Sequence, residues 1–181
     1  MDVFKLKLKV GLLNDSFPPL IDGVANATKA YAQIIQDKYG KAVVITTKYP
    51  HVKDDYNFCV YRYHSVPSDR LIGYRAGDPF LPKAVSDLRN EKMDLLHVHC
   101  PFASAIMARV LCSSKKSRVP IVFTYHTKFE SDIKARVKSR PLQKIAHRFV
   151  LNNINHMDEV WAVSENAAKD LVEFGYKGKY R

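Results

Sequence analysis

"LLHVHCPFASAIMARVLCSSKKSRVPIVFTY", residues 95–125, is an apolar run, a helical run and a second apolar run in direct succession. Leu95 to His99 reads as a short strand, Phe102 to Cys112 carries Ile106, Val110 and Leu111 at helical spacing, and Val119 to Tyr125 reads as another strand. The same alternation continues on both sides. Upstream, Lys5 to Leu13 reads as a strand whose second half, Val10-Gly11-Leu12-Leu13, is apolar on both faces. Beyond Pro18 and Pro19, Ala25 to Tyr39 is expected to be a helix with Ala27, Ala30, Tyr31, Ile34 and Ile35 at helical spacing. Ala42 to Thr47 and Phe58 to His64 read as further strands. Ser65 to Pro82 holds Pro67, Gly73, Gly77, Pro79 and Pro82, which predicts a long surface loop, and a helix is expected from Lys83 to Asn90. Downstream, Pro141 suits a first helical turn, and Leu142, Ile145, Ala146, Phe149, Val150 and Met157 form one apolar stripe. Glu159 to Val163 reads as the last strand, and Ser164 caps a helix to Phe174 that Gly175 ends. Short apolar strands alternating with helices are the pattern of a parallel sheet covered on both faces. The expected fold class is therefore α/β, a Rossmann-like doubly wound, mainly parallel sheet, with residues 1–181 as a single domain.

Composition sets the broad class. Hydrophobic residues are 46% of the chain and charged ones 26%, which excludes disordered and fibrous architectures. No stretch approaches the roughly 18 consecutive apolar residues of a membrane-spanning helix. The first residues alternate lysine with apolar side chains and lack the apolar core of a secretory signal. Cys59, Cys100 and Cys112 are isolated, without a C-x-x-C spacing, which argues for a reducing compartment. The expected location is the cytoplasm. The 29 Lys and Arg against 18 Asp and Glu leave a formal charge of +11, so some face of the molecule attracts phosphates.

In doubly wound sheets ligands collect beyond the carboxyl ends of the strands, so the chemistry is sought there. After the first strand, Gly23 just before a helix leaves room for a ligand or another backbone, and free N–H groups of that turn can hold an anion. Neither G-x-G-x-x-G nor G-x-x-x-x-G-K-[ST] occurs, so the dinucleotide fingerprint and the P-loop are absent. After the fourth strand, His97 and His99 project to the same side because side chains alternate along a strand. A metal set built from them and a thiol lacks a carboxylate or second pair, so core or substrate-facing histidines are expected and no metal is assigned. After the fifth strand, His126 stands between Thr124 and Thr127 with Lys128 beyond, at the edge where such sheets bind ligands.

Ile133 to Arg140 interleaves apolar and basic residues, and Lys144, His147 and Arg148 lie off the next helix's apolar stripe. Such a segment can rest on an anionic membrane surface or be a solvated face. Nucleic acid is not an expected partner, since no aromatic-rich RNA motif or DNA-reading helix accompanies the charge.

Taken together, "GLLNDSFPPLIDGVANAT", "DLLHVHCP", "VPIVFTYHTKFE" and "DEVWAVSENAAKDLVEFGY" resemble, in that order, the amino-terminal domain of family 4 retaining glycosyltransferases, which have the two-domain GT-B architecture. The resemblance implies the acceptor-side half of an enzyme that moves a hexose from a nucleotide-sugar donor to a lipid or glycan acceptor with retention. It implies that His126 is catalytic, reaching the transferred sugar and stabilising charge as the diphosphate bond breaks. It implies substrate contact at Asp22, Gly23 and Val24, with His99, Thr127 and Lys128 as further substrate-binding residues. It requires no metal and no cofactor, the nucleotide sugar being a substrate. Asp22 departs from the pattern, because many relatives carry a second glycine there, which leaves a carboxylate near an expected phosphate site. "EFGYKGKYR" stops where relatives run on into the donor domain, so the carboxy-terminal domain is expected to be absent from this chain and the chain alone to be inactive. The +11 charge favours a lipid acceptor and a peripheral position at the inner membrane face. The rival expectation is a non-catalytic Rossmann-like module that docks on a partner protein or an anionic surface.

Overall fold

The computed structural model describes residues 7–68, 75–113, 118–126 and 129–181. Along the chain these form β1 (Leu8–Leu13), α1 (Gly23–Ile34), a π-helical turn (Ile35–Tyr39), β2 (Gly40–Thr47), β3 (Cys59–Tyr63), β4 (Ser65–Val66) and β5 (Ala76–Gly77). There follow α2 (Pro82–Asn90), β6 (Leu95–Val98), α3 (Ala103–Cys112), β7 (Ile121–Tyr125), α4 (Phe129–Arg136), α5 (Arg140–Asn155), β8 (Glu159–Ala162) and α6 (Glu165–Glu173). Six strands make one parallel sheet in the order β3-β2-β1-β6-β7-β8. The chain builds outward from β1 to β3, then returns to lay β6 against the other side of β1. That reversal opens a crevice beyond the carboxyl ends of β1 and β6.

Both faces are covered, as expected, but unequally. One face packs Leu13, Ile45, Leu96 and Phe123 of the sheet against Leu88 of α2, Met107 of α3, Ile154 of α5 and Leu171 of α6. The other packs Val10, Leu12 and Val44 against Ala32 of α1, with Phe17 and Phe58. Each fully buried Leu or Ile contributes about 1.5–3 kcal/mol of hydrophobic transfer. Gly40 opens β2 with a φ of 153°, and a Cβ there would run into the Leu8 backbone. The tight passage into β2 therefore requires glycine.

Four expectations are corrected. The expected loop from Ser65 to Pro82 is partly paired: β4 runs antiparallel to β5 with Ser65 opposite Gly77, and Arg75 Nε and Nη2 bond the Ser65 hydroxyl and carbonyl, each at 3.0 Å. Gly77 makes this possible, because a Cβ would collide with the Tyr63 ring. The second correction is α1, which buries Ala25, Thr28 and Ala32 and leaves Ile34 exposed. Thr28 turns inward because its hydroxyl receives Asn14 Nδ2 at 3.0 Å and donates to the Val24 carbonyl at 2.9 Å. Third, Phe129 to Arg136 is helical, where the sequence suggested only a basic amphipathic segment further on.

The fourth concerns α5, whose apolar stripe does not face the core as one unit. Val150 and Ile154 are buried, yet Leu142 is 55%, Ile145 61% and Phe149 41% exposed. Asn153 decides this orientation. It is 1% exposed, accepts from Arg109 Nη1 at 2.8 Å and donates to the Pro101 carbonyl at 2.9 Å, which rotates the helix so that this polar residue points inward. The other end of the chain follows expectation: Ser164 Oγ accepts from Ala167 N at 3.1 Å, and Gly175, at a φ of 102°, ends α6.

Candidate functional site

The residues that follow β1, β6 and β7 meet in one cavity of about 170 Å3. Asn14 and Ser16 come from the end of β1, Asp22 and Val24 from the start of α1, His99 and Cys100 from the end of β6, and His126 from the end of β7. Phe102 and three residues of α4, namely Phe129, Asp132 and Arg136, complete the walls.

The β1 end is braced from below by Asp15. This carboxylate is fully buried and accepts from the Ser104 backbone N–H at 2.9 Å, the Ser104 hydroxyl at 2.8 Å and the Tyr63 hydroxyl at 3.4 Å. Burial pushes its pKa up, against the opposing hydrogen bonds from Cys100, Ser104 and Tyr63. Because Ser104 is in the first turn of α3, an anion here also meets the positive end of that helix. One side chain thus ties β1 and β3 to α3 beneath the cavity.

Above it, three histidines converge from two strands. His97 Nε2 lies 2.7 Å from the Thr124 hydroxyl, and His99 Nδ1 lies 2.9 Å from His126 Nε2. The Tyr31 ring of α1 packs on both His97 and His99, at centroid distances of 5.1 and 5.4 Å. The remaining nitrogen of His99, Nε2, is buried with no hydrogen-bond partner among the described residues. A neutral imidazole carries one N–H, and an orphaned buried N–H is the costlier defect. The proton of His99 therefore belongs on Nδ1, donated to His126 Nε2, and this places the proton of His126 on Nδ1. The sequence put His97 and His99 on one side of a strand, and only the β6–β7 pairing adds His126.

Burial holds all three imidazoles below their ordinary value. His97 is pushed down to about 4, first by burial and then by His126. His99 falls well below 6.5 through burial, then through His97 and His126. Burial lowers His126 as well, with the Asp22 carboxylate acting in the opposite direction. The cluster is uncharged at neutral pH, so His126 offers a neutral N–H donor.

Asp22 is the N-cap of α1. Its Oδ1 accepts from Ala25 N at 2.7 Å, and the Ser16 hydroxyl donates to its other oxygen. This helix N-terminus thus carries its own anion, the carboxylate satisfying an amide that an incoming phosphate would otherwise meet.

The cavity brings together His126, Asp22, Val24 and His99, the last backing the wall at 1% exposure. Gly23 is exposed as the first residue of α1, and a Cβ there would meet nothing within 4 Å, so the approach over it is open. Thr127 and Lys128 lie outside the described residues. Sequence reasoning missed Phe102, Phe129, Asp132 and Arg136. The overlooked signal was charge spacing: Glu130 with Lys134, and Asp132 with Arg136, stand four apart, and the first pair closes at 2.7 Å on α4.

Comparison with known proteins bears on this geometry. The sequence model of the family described as Glycosyltransferase Family 4 matches residues 21–181. The chain is 25% identical over 178 residues to an alpha-monoglucosyldiacylglycerol synthase of Streptococcus pneumoniae (strain ATCC BAA-255 / R6), covering 95% of this chain and 38% of that protein. To the protein of the same name from Acholeplasma laidlawii it is 26% identical over 125 residues, covering 68% of this chain and 31% of the relative. It thus spans about a third of these relatives' length. Among solved structures, a sucrose-phosphate synthase from Thermosynechococcus elongatus superposes with a TM-score of 0.68 at 16% identity, over 96% of this chain and 47% of that one. An alpha-glucosyltransferase in complex with UDP-glucose and DNA containing an abasic site superposes at 0.54 and 10% identity, over 95% of this chain and 40% of that one. At these identities the two superpositions bear on the fold alone.

Proposed function

We propose that this chain, which belongs to glycosyltransferase family 4, is the acceptor-facing half of a retaining hexosyltransferase that moves a hexose from a nucleotide sugar to a lipid. A further domain holds the donor, and catalysis takes place in the cleft between the two. The lipid acceptor is favoured over a glycan by the relatives, both of which are named as monoglucosyldiacylglycerol synthases. We place the protein in the cytoplasm at the inner membrane face. Among the described residues no helix is long and apolar enough to cross a membrane.

His126 carries this reading. It stands beyond the carboxyl end of β7, beside the point where strand order reverses, and shares a cavity with the start of α1. Its neutral ring, oriented by His99, can bond a hydroxyl of the reacting sugar without placing positive charge next to a carbon that becomes electron-poor as the diphosphate departs. Asp22 and Asp132 supply acceptors for hydroxyls, and Phe102 and Phe129 supply apolar walls. With Arg136 as a further donor in the wall, this composition suits a hydroxyl-bearing group.

The test is transfer from a panel of nucleotide sugars by the protein that includes its donor half, parent against His126→Ala, with the anomeric configuration of the product read by NMR. The expected result is transfer with retention by the parent and a loss of about 10²–10³ in the variant, with the circular dichroism unchanged. Parental turnover in the variant would overturn the catalytic assignment. An inverted product would overturn retention.

A further inference from the structure

The loop from β1 to α1 presents Ser16 and Asp22 to the His126 cavity, and its two halves are held differently. Asn14 and Asp15 are pinned in the core. Asn14 Nδ2 meets Thr28, Asn14 Oδ1 accepts from Ser16 N at 3.2 Å, and Asp15 meets Ser104. Phe17 is fully buried, but from Pro18 onward the chain reaches the surface, and Ile21 is 76% exposed. The Leu20 amide bonds back to the Phe17 carbonyl within the same turn. Among the described residues, what ties the segment from Pro18 to Ile21 to another element is a hydrogen bond from Arg62 Nη2 to the Pro18 carbonyl, at 2.6 Å.

Arg62 lies on the edge strand β3, and its whole guanidinium is directed at this corner. Nε and Nη2 meet the two oxygens of Asp54, each at 2.8 Å, and Nη1 reaches the Thr47 carbonyl at the end of β2 at 3.1 Å. The guanidinium carbon is 5.8 Å from the centre of the Phe17 ring. Tyr56, from the same loop as Asp54, meets that ring edge-on at 5.7 Å and lies beneath Lys29 of α1. The Arg62 side chain is 10% exposed, and Asp54 neutralises a charge that would be costly to bury alone. An ion pair serving stability alone requires neither carbonyl. A planar fork that joins Asp54, Thr47 and Pro18 fixes the distances between them, which a point charge does not.

We infer that Arg62 is a positioning residue of the cavity: through Pro18 and Phe17 it sets the span of the loop and so holds the Asp22 carboxylate facing His126. Arg62 does not itself line the cavity. Asp22 receives one hydrogen bond from each end of the loop, from the Ser16 hydroxyl on the β1 side and from the Ala25 amide on the helix side. Its aim therefore depends on the loop keeping its shape between those two points. Without the guanidinium the Pro18 carbonyl loses its partner, the outer turn swings, and Asp22 parts from Ser16. The inference rests on the catalytic reading of His126 only for its consequence in transfer.

The experiment measures how strongly Asp22 acts on His126, by NMR pH titration of this chain in two backgrounds. In the parent, Asp22→Asn lowers the His126 titration, since the carboxylate opposes the effect of burial. In the Arg62→Met background the same substitution should shift His126 by about half as much or less, because the carboxylate no longer faces the ring. Measuring the Asp22→Asn step within each background cancels any change in burial that the methionine itself brings. Arg62→Lys keeps a cation beside Asp54 but lacks the fork, so it too should show a reduced shift, and it decides the question where the methionine variant does not fold. An undiminished shift in either folded variant would overturn the proposal. With the donor half present, and assayed well below both melting temperatures, Arg62→Met should lower kcat by about tenfold or more with little change in KM, as small misplacements at a reacting centre do. Parental kcat would overturn the proposal as well. A two-domain parent that itself transfers nothing, with the titration shift reduced as expected, counts against the proposed reaction alone and leaves the role of Arg62 standing.

Discussion

Acid should unfold this protein through its histidine cluster, and His97 allows the effect to be sized. In an unfolded chain a histidine titrates near 6.5, whereas in the fold His97 titrates at about 4 because it is buried and faces His126. Between those values the unfolded state binds a proton that the folded state refuses, so stability falls as pH falls. The loss begins near 6.5, steepens to about 1.4 kcal/mol per pH unit for one such group, and levels off below the folded pKa. Integrated from pH 7 to pH 5, His97 alone removes about 2 kcal/mol, a large share of an ordinary domain's stability. His99 and His126 are displaced in the same direction and add to the loss. Asp15 works oppositely, since its raised pKa lets the folded state take up a proton first as the pH drops. Comparison with His97→Gln cancels the Asp15 contribution, because both proteins carry it, and the glutamine amide keeps a group that can bond the Thr124 hydroxyl. Urea unfolding followed by circular dichroism at pH 7 and pH 5 then reads the difference. The parent should lose about 2 kcal/mol more than the variant across that interval. Equal losses would refute the claim that His97 is held neutral by its burial.

Two further outcomes follow from the same geometry. Asp22→Asn keeps an oxygen for the Ala25 amide but removes the carboxylate charge, so His126 should titrate lower still in an NMR pH series; an unchanged or higher value would remove Asp22 from its surroundings. Gly40→Ala forces a side chain into a left-handed conformation against the Leu8 backbone, and thermal unfolding should show a loss of about 1–3 kcal/mol or more, with near-parental stability as the contrary result.

Much of the fold was legible in the sequence, for local reasons. Strands such as Ile121–Tyr125 are apolar on both sides because both sheet faces are covered, and that mark is carried by the residues themselves. Ser164 and Gly175 announce a helix start and stop through their own hydrogen-bonding and backbone freedom. The short helix α4 was harder, since only two buried residues, Phe129 and Ile133, tie it to the core, and its charge spacing is a weak mark. The placement of candidate residues at strand ends was legible too, for a parallel sheet puts them all on one edge.

What lay beyond the sequence is what depends on partners distant in the chain. That β6 returns beside β1 and pairs with β7 brings His99 within 2.9 Å of His126, and the tautomer of His126 depends on that contact. Asp22 could be read as a carboxylate near a loop, but its role as cap of α1 needed the Ala25 amide and the Ser16 hydroxyl in place. The apolar stripe of α5 shows the division most plainly. Periodicity established that Leu142, Ile145, Phe149 and Val150 share a helix, because spacing is a property of the chain. Which of them is buried was settled by Asn153, whose bonds to Arg109 and Pro101 set the helix's rotation and left three of the four facing outward.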